Sequence, residues 1–174
     1  MTPEEARYDA SQSVESRPGD LGDLVDALPK DPRPLLDVVA GLVLDTAFVA
    51  ALGVVCPPGS ADDVEVRGLP GMLRRILSRD PGSLATARPP EKRLIGACRH
   101  DALLACSAFR HHAVPARVRV GFADDFEPGF HDDYWITEYW DGAGWRMMDS
   151  ERGARSRRAR QPRDAAVGLL ENLP

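Results

Sequence analysis

Cys98, Tyr134 and Asp149 are the residues of this chain whose types and order are suited to chemistry. A cysteine attacks as its thiolate, and the start of a helix lowers a thiol pKa through unpaired N–H groups and the macrodipole. Cys98 stands in Gly96-Ala97-Cys98-Arg99, directly before an apolar run of helical period, so it occupies that setting. Its own N–H can also serve an oxyanion. Asp149 closes Trp145-Arg146-Met147-Met148-Asp149, from where it can orient a group on the preceding strand. Tyr134 and His131 are the candidates for that group. A phenol with an ordinary pKa of about 10 is a poor base near neutral pH, though it can donate a hydrogen bond or act as an acid.

The four histidines offer no evident substitute for a base. His131 precedes Tyr134 by an odd number of positions, so on a regular strand it points to the opposite face and can substitute only from a loop or a bulge. His100 follows Cys98 by two residues, about 200 degrees around a helix. His111 and His112 lie at the far end of the same helical run. Arg99 beside the thiol, and Asp133, Trp135 and Glu138 around Tyr134, are the candidate substrate contacts. Glu138 shares the Tyr134 face if the strand is regular. Each residue also has a plain structural reading: Cys98 as a buried thiol, Tyr134 as an aromatic whose hydroxyl is satisfied by Asp149, Glu138 as a solvated sheet residue, the tryptophans as hairpin packing.

The elements that must position these groups follow from periodicity. Asp20 to Leu28 predicts a short helix, and Leu35, Leu36, Val39, Leu42, Val43 and Val49 predict one long helix from Arg33 to Leu52, ending at Gly53. Gly68 to Leu77 carries another apolar stripe, and Ala97 to Arg110 a third. Arg117 to Phe122 alternates with period two, and Tyr134 to Trp140 and Trp145 to Asp149 flank the turn signal Asp141-Gly142-Ala143-Gly144, which predicts an antiparallel pair. Met1 to Pro18 lacks an apolar face and reads as a mobile arm. Arg152 to Arg163 is arginine-rich, and Arg163 to Asn172 suits a last short helix. The expected organisation is an arm over 1–18 and one domain over 19–174, with a helical part at 20–90, a core at 91–151 and the basic stretch and last helix at 152–174.

Cys98 at the head of an apolar helix, Pro115-Ala116-Arg117-Val118 with Gly121-Phe122, Tyr134-Trp135 with Glu138, and Gly144-Trp145 with Asp149 together give the segment from Glu91 to Glu151 a pattern that resembles the transglutaminase-like superfamily. It is similar to a bacterial branch of small stand-alone proteins whose strand carries Asp-His-Trp followed by Glu-Tyr-Trp. Here Glu138-Tyr139-Trp140 stands unchanged, and Tyr134 occupies the histidine position. The resemblance implies an α+β, papain-like fold: a helical N-terminal half packed on a small antiparallel sheet, with the nucleophile at a helix N-terminus. It further implies thiol acyl chemistry at Cys98, namely transfer, hydrolysis or cyclisation on an amide, a thioester or a related acyl group. The other expectation is a catalytically silent relative that binds a ligand in the same cleft.

Composition narrows the setting. With 174 residues, 43% of them hydrophobic, the chain can build one real core. A net charge of -5 argues against a general nucleic-acid binder, and no apolar run is long enough to cross a bilayer. Cys56, Cys98 and Cys106 are odd in number and lack metal-ligand spacing, so reduced thiols in a cytoplasmic setting are expected. Asp124-Asp125 and Asp132-Asp133 read as solvated turns, and neither a metal nor a cofactor is expected. The expected partner is a small-molecule or carrier-bound substrate, with no nucleic acid and no membrane, and no oligomeric state is implied.

Overall fold

The computed structural model describes residues 1–123 and 129–150. Asp124-Asp125, the Arg152 to Arg163 stretch and the expected last helix lie outside the described residues. The segment expected as an arm begins with α1 (Pro3–Asp9), whose N-cap Thr2 and Glu5 exchange reciprocal hydrogen bonds. None of its residues is buried. The following stretch is seated on the body of the protein. Gln12 Nε2 donates to the Ser107 carbonyl at 2.9 Å, the Leu69 N–H donates to the Glu15 carbonyl at 2.7 Å, and Ser16 is buried. No apolar periodicity announces this docking, because backbone and amide hydrogen bonds carry it.

The expected helix from Asp20 is reduced to α2 (Gly22–Val25) after a single 3₁₀ turn, and Val25 and Leu28 still anchor it in the core. The long helix predicted from Arg33 to Leu52 is not one element. α3 (Pro32–Leu42) gives way to β1 (Val43–Asp45), and α4 (Thr46–Val49) restarts with the Asp45 carboxylate accepting the Ala47 N–H. The physical reason is tertiary. Val43 and Leu44 pair in parallel with Leu94 and Ile95 of β2 (Leu94–Gly96), where they are buried and their backbone groups find sheet partners. The last turn of α3 is also closely approached. The Arg88 N–H takes the Gly41 carbonyl at 2.9 Å, and a Cβ on Gly41 would stand 2.7 Å from the Ala87 Cβ and 2.9 Å from its Cα.

α5 (Leu69–Arg79) buries Leu69, Met72, Leu73 and Ile76, the stripe expected from the sequence. Its last residue, Arg79, bridges to the fully buried Asp63 at 2.6 Å, and Asp63 in turn accepts the Ile95 N–H of β2. Arg88, 3% exposed, organises the connection from α5 to β2 by donating to the carbonyls of Asp80, Gly82, Ser83 and Thr86. A buried guanidinium surrounded by carbonyl dipoles thus holds this loop together beside the single buried apolar anchor Leu84.

α6 (Cys98–His111) follows, then β3 (Ala116–Ala123), β4 (Asp132–Trp140) and β5 (Trp145–Met148). The three strands form an antiparallel sheet in the order β3-β4-β5, with Gly121 opposite Tyr134 and Thr137 opposite both Val118 and Met148. In the β4–β5 turn, Asp141 accepts the N–H groups of Ala143 and Gly144, and Gly142 takes a φ of 98° that favours glycine. α6 lies on one face of the sheet. Thr137 Oγ1 donates to the Ala102 carbonyl at 2.9 Å, and Phe109 stacks on Tyr139 with ring centroids 4.8 Å apart. The result is the expected α+β arrangement, with one hydrophobic cluster joining α3, α5, α6 and the sheet. No helix of the described residues is long and apolar enough to cross a membrane.

Replacing Gly41 with alanine drives a methyl group into Ala87, and overpacking of this kind costs about 1–3 kcal/mol. Urea unfolding of Gly41→Ala is expected to show that loss, and adding Ala87→Gly is expected to recover part of it.

Candidate active site

The thiol of Cys98 is half-buried at the first position of a fourteen-residue helix. Its N–H belongs to the first turn, whose donors have no acceptor within the helix. Ala97 at the N-cap has no side-chain oxygen to offer, and the end is stabilised from the other direction. His100 Nδ1 accepts the Ala97 N–H at 3.0 Å, while His100 Nε2 lies 3.1 Å from the Val66 carbonyl. Nε2 must therefore carry the proton and Nδ1 the lone pair, which is the neutral tautomer. Burial pushes the His100 pKa down, and the nearby positive charge of Arg99 adds to the effect. With both nitrogens committed to backbone, this imidazole is a structural cap.

The other histidines are also accounted for. His111 Nε2 lies 2.6 Å from an Asp26 carboxylate oxygen, and His112 Nε2 donates to the Leu28 carbonyl at 2.8 Å. His131 is exposed immediately before β4, and β4 pairs with β3 without a bulge from Asp132 to Tyr139, so nothing in the ladder re-aims it toward the Tyr134 face.

Tyr134 and Asp149 are brought together. The phenol hydroxyl donates to the Asp149 carboxylate at 2.9 Å, and Asp149 is only 5% exposed. Strand alternation puts Tyr134 and Glu138 on the face of β4 opposite to Thr137 and Tyr139, the residues that touch α6. Glu138 is 4% exposed and is held by Arg117 Nε at 2.7 Å and Arg119 Nη1 at 2.8 Å. The Arg117 guanidinium also lies 4.0 Å from the centre of the Trp145 ring. The expected sharing of a face by Tyr134 and Glu138 is thus observed, and Glu138 is an ion-paired strut of that face. Burial alone raises its pKa, but the hydrogen bonds from Arg117 and Arg119 outweigh this and hold the carboxyl below its ordinary value.

Arg99 and Trp135 meet on the other side. Together with His100, Leu103 and Val118 they line a cavity of about 360 Å³ between the first turns of α6 and the sheet. Asp133 is exposed and stands opposite Phe122 in the ladder, with no wall of that cavity formed by it. Cys106, two turns along the helix from Cys98, is buried, and burial pushes its thiol up to about 11, so it packs as an inert hydrophobe. Cys56 is exposed, and none of the three cysteines forms a disulfide. Among the described residues no three His, Cys, Asp or Glu side chains converge as metal ligands. The role of His100 was not legible from its offset to Cys98. A histidine three residues after an alanine N-cap is the signal that points to it, since that spacing suits a side chain reaching back to the N-cap N–H.

Comparison with known families gives one result. Residues 78–150 match the model of the transglutaminase-like superfamily. No curated protein and no solved structure matches the chain. The matched segment runs from the end of α5 to Ser150 and contains Cys98, Tyr134 and Asp149.

Substituting Glu138 by glutamine leaves two guanidinium groups beside a neutral amide, at an expected cost of about 1–3 kcal/mol. Because its folded pKa lies below the unfolded one, the Glu138 contribution is complete above the unfolded value of about 4.3 and fades as pH falls through the folded value. Urea unfolding of Glu138→Gln should therefore show its largest deficit above pH 5, with the gap to the parent narrowing in more acidic buffer.

Proposed function

Starting from a transglutaminase-like core at residues 78–150, in a superfamily whose members are generally cysteine-protease-like acyl-transfer enzymes, we propose that this protein carries out thiol acyl chemistry at Cys98. The substrate is an amide, thioester or related acyl group on a small molecule or a carrier, and the step is a specialised biosynthetic transfer, hydrolysis or cyclisation in a reducing, cytoplasmic setting. The observation that carries this reading is the hydrogen bond from Tyr134 to Asp149, which keeps a paired proton-bearing group and carboxylate within the matched segment.

The chemistry divides among the residues as follows. The N-terminal turn of α6 favours the Cys98 thiolate and a developing oxyanion. Sulfur bonds to the acyl carbon, and the thiol proton leaves with the departing amine or thiol. Tyr134 directs its own proton to Asp149, so the phenol oxygen presents lone pairs that can accept a hydrogen bond from an incoming group of the substrate. This pair orients a proton more readily than it removes one, which suits a substrate whose leaving group needs little basic assistance. A thioester meets that requirement better than an unactivated amide.

A second reading, a catalytically silent binding protein, draws on the engagement of His100, His111 and His112 with other groups and the exposure of His131. The two readings differ in the state of the thiol. Site-resolved alkylation of Cys98 by iodoacetamide across pH is expected to give a midpoint below the ordinary thiol value of about 8.5. A midpoint near 8.5 would favour the binding protein.

A further inference from the structure

The cavity beside the first turns of α6 has an apolar body and a charged rim that includes Arg99. Leu103, Val118 and the half-buried Trp135 line it, together with Val66, whose carbonyl meets His100. Its volume, about 360 Å³, falls in the range that holds a small organic ligand. The same face of the sheet continues outward through Val120, which pairs with Trp135 and is 54% exposed, so the apolar lining reaches solvent.

The charges on its wall differ in their pairing. Arg67 and Arg99 contribute two guanidinium groups and Glu15 one carboxylate. Arg67 is already bridged to Glu65 at the surface, at 3.2 Å. Arg99 is half-buried and forms no ion pair among the described residues. A guanidinium drawn partly out of water without a counter-charge is stabilised by an anion delivered to it, and its planar fork suits a carboxylate. His100 cannot answer an anion by taking up a proton without losing its bond to the Ala97 N–H, which leaves Arg99 as the anchor.

We propose that this cavity binds an amphipathic monoanion, a carboxylate carried on an aliphatic or aromatic body, with the body against Leu103, Val118 and Trp135 and the carboxylate on Arg99. Such an anion is the unreacted recognition portion of the acyl substrate, held one residue along the chain from Cys98. Calling the ligand a substrate rests on the thiol reading of Cys98; the binding site itself does not.

The test compares 4-phenylbutanoate with its neutral isostere 4-phenylbutanamide by calorimetric titration of the full chain. The carboxylate is expected to bind about tenfold more tightly than the amide, a difference that corresponds to one charge-assisted contact. Arg99→Gln is expected to bring the carboxylate to the affinity of the amide and to leave the amide unchanged. Leu103→Gln is expected to weaken both ligands alike. Equal affinities in the parent protein, or a carboxylate preference that survives Arg99→Gln, overturns the assignment. The alkylation profile of Cys98 separates the two claims. An ordinary profile with the carboxylate preference intact defeats the thiol reading alone, and a depressed profile with equal affinities defeats the cavity assignment alone.

Discussion

The seating of α6 on the sheet is the contact on which the remaining geometry depends. Two interactions about two turns apart hold it: the Thr137 hydroxyl on the Ala102 carbonyl, and the Phe109 ring stacked on Tyr139. Cys98, Ala102, Ala105 and Phe109 fall on one stripe of the helix, with small residues allowing close approach and one aromatic residue fixing the angle. Because the helix is a rigid rod, clamping these two points also fixes the direction of its N-terminal N–H groups and the place of the thiol. The cavity beside Arg99, Leu103 and Trp135 lies between the first turns of this helix and the sheet.

The start of the helix is held by a separate device. A histidine buried as the neutral tautomer links the Ala97 N–H to the Val66 carbonyl, so one side chain joins the N-cap of α6 to the segment that leads into α5. The arrangement removes the histidine closest in sequence to Cys98 from proton chemistry. It also leaves Arg99 as the positive group next to the thiol. On the opposite side of the sheet, Arg117 and Arg119 clamp Glu138, while Tyr134 is satisfied by Asp149. Buried carboxylates are tolerated there because each has a hydrogen-bond donor.

Much of the architecture was legible along the chain wherever one element could satisfy its own pattern. The α5 stripe, the helix opening at Cys98 and the antiparallel pair around Asp141 to Gly144 are local features, set by periodicity and by a turn in which one aspartate accepts two backbone donors. The long helix through Val49 was misread because helical spacing and a buried parallel strand look alike over three residues. Only the pairing of Val43 and Leu44 with Leu94 and Ile95, some fifty positions away, separates them. The seating of Gln12 to Ser16 was invisible for a similar reason, since its partners at Leu69 and Ser107 are remote.

The site divides along the same line. Residue type and order determined that a cysteine opens a helix, that Tyr134 stands where a base would be useful, and that Asp149 can reach it across adjacent strands, because strand pairing fixes neighbours within a few ångströms. Tertiary structure decided which of these groups remain available. It committed His100 to two backbone groups, enclosed Glu138 between two arginines and left Arg99 on the wall of an apolar cavity. The physical reason is that a side chain's chemistry depends on its solvation and its hydrogen-bond partners, and most of those partners here come from elements far away in the chain.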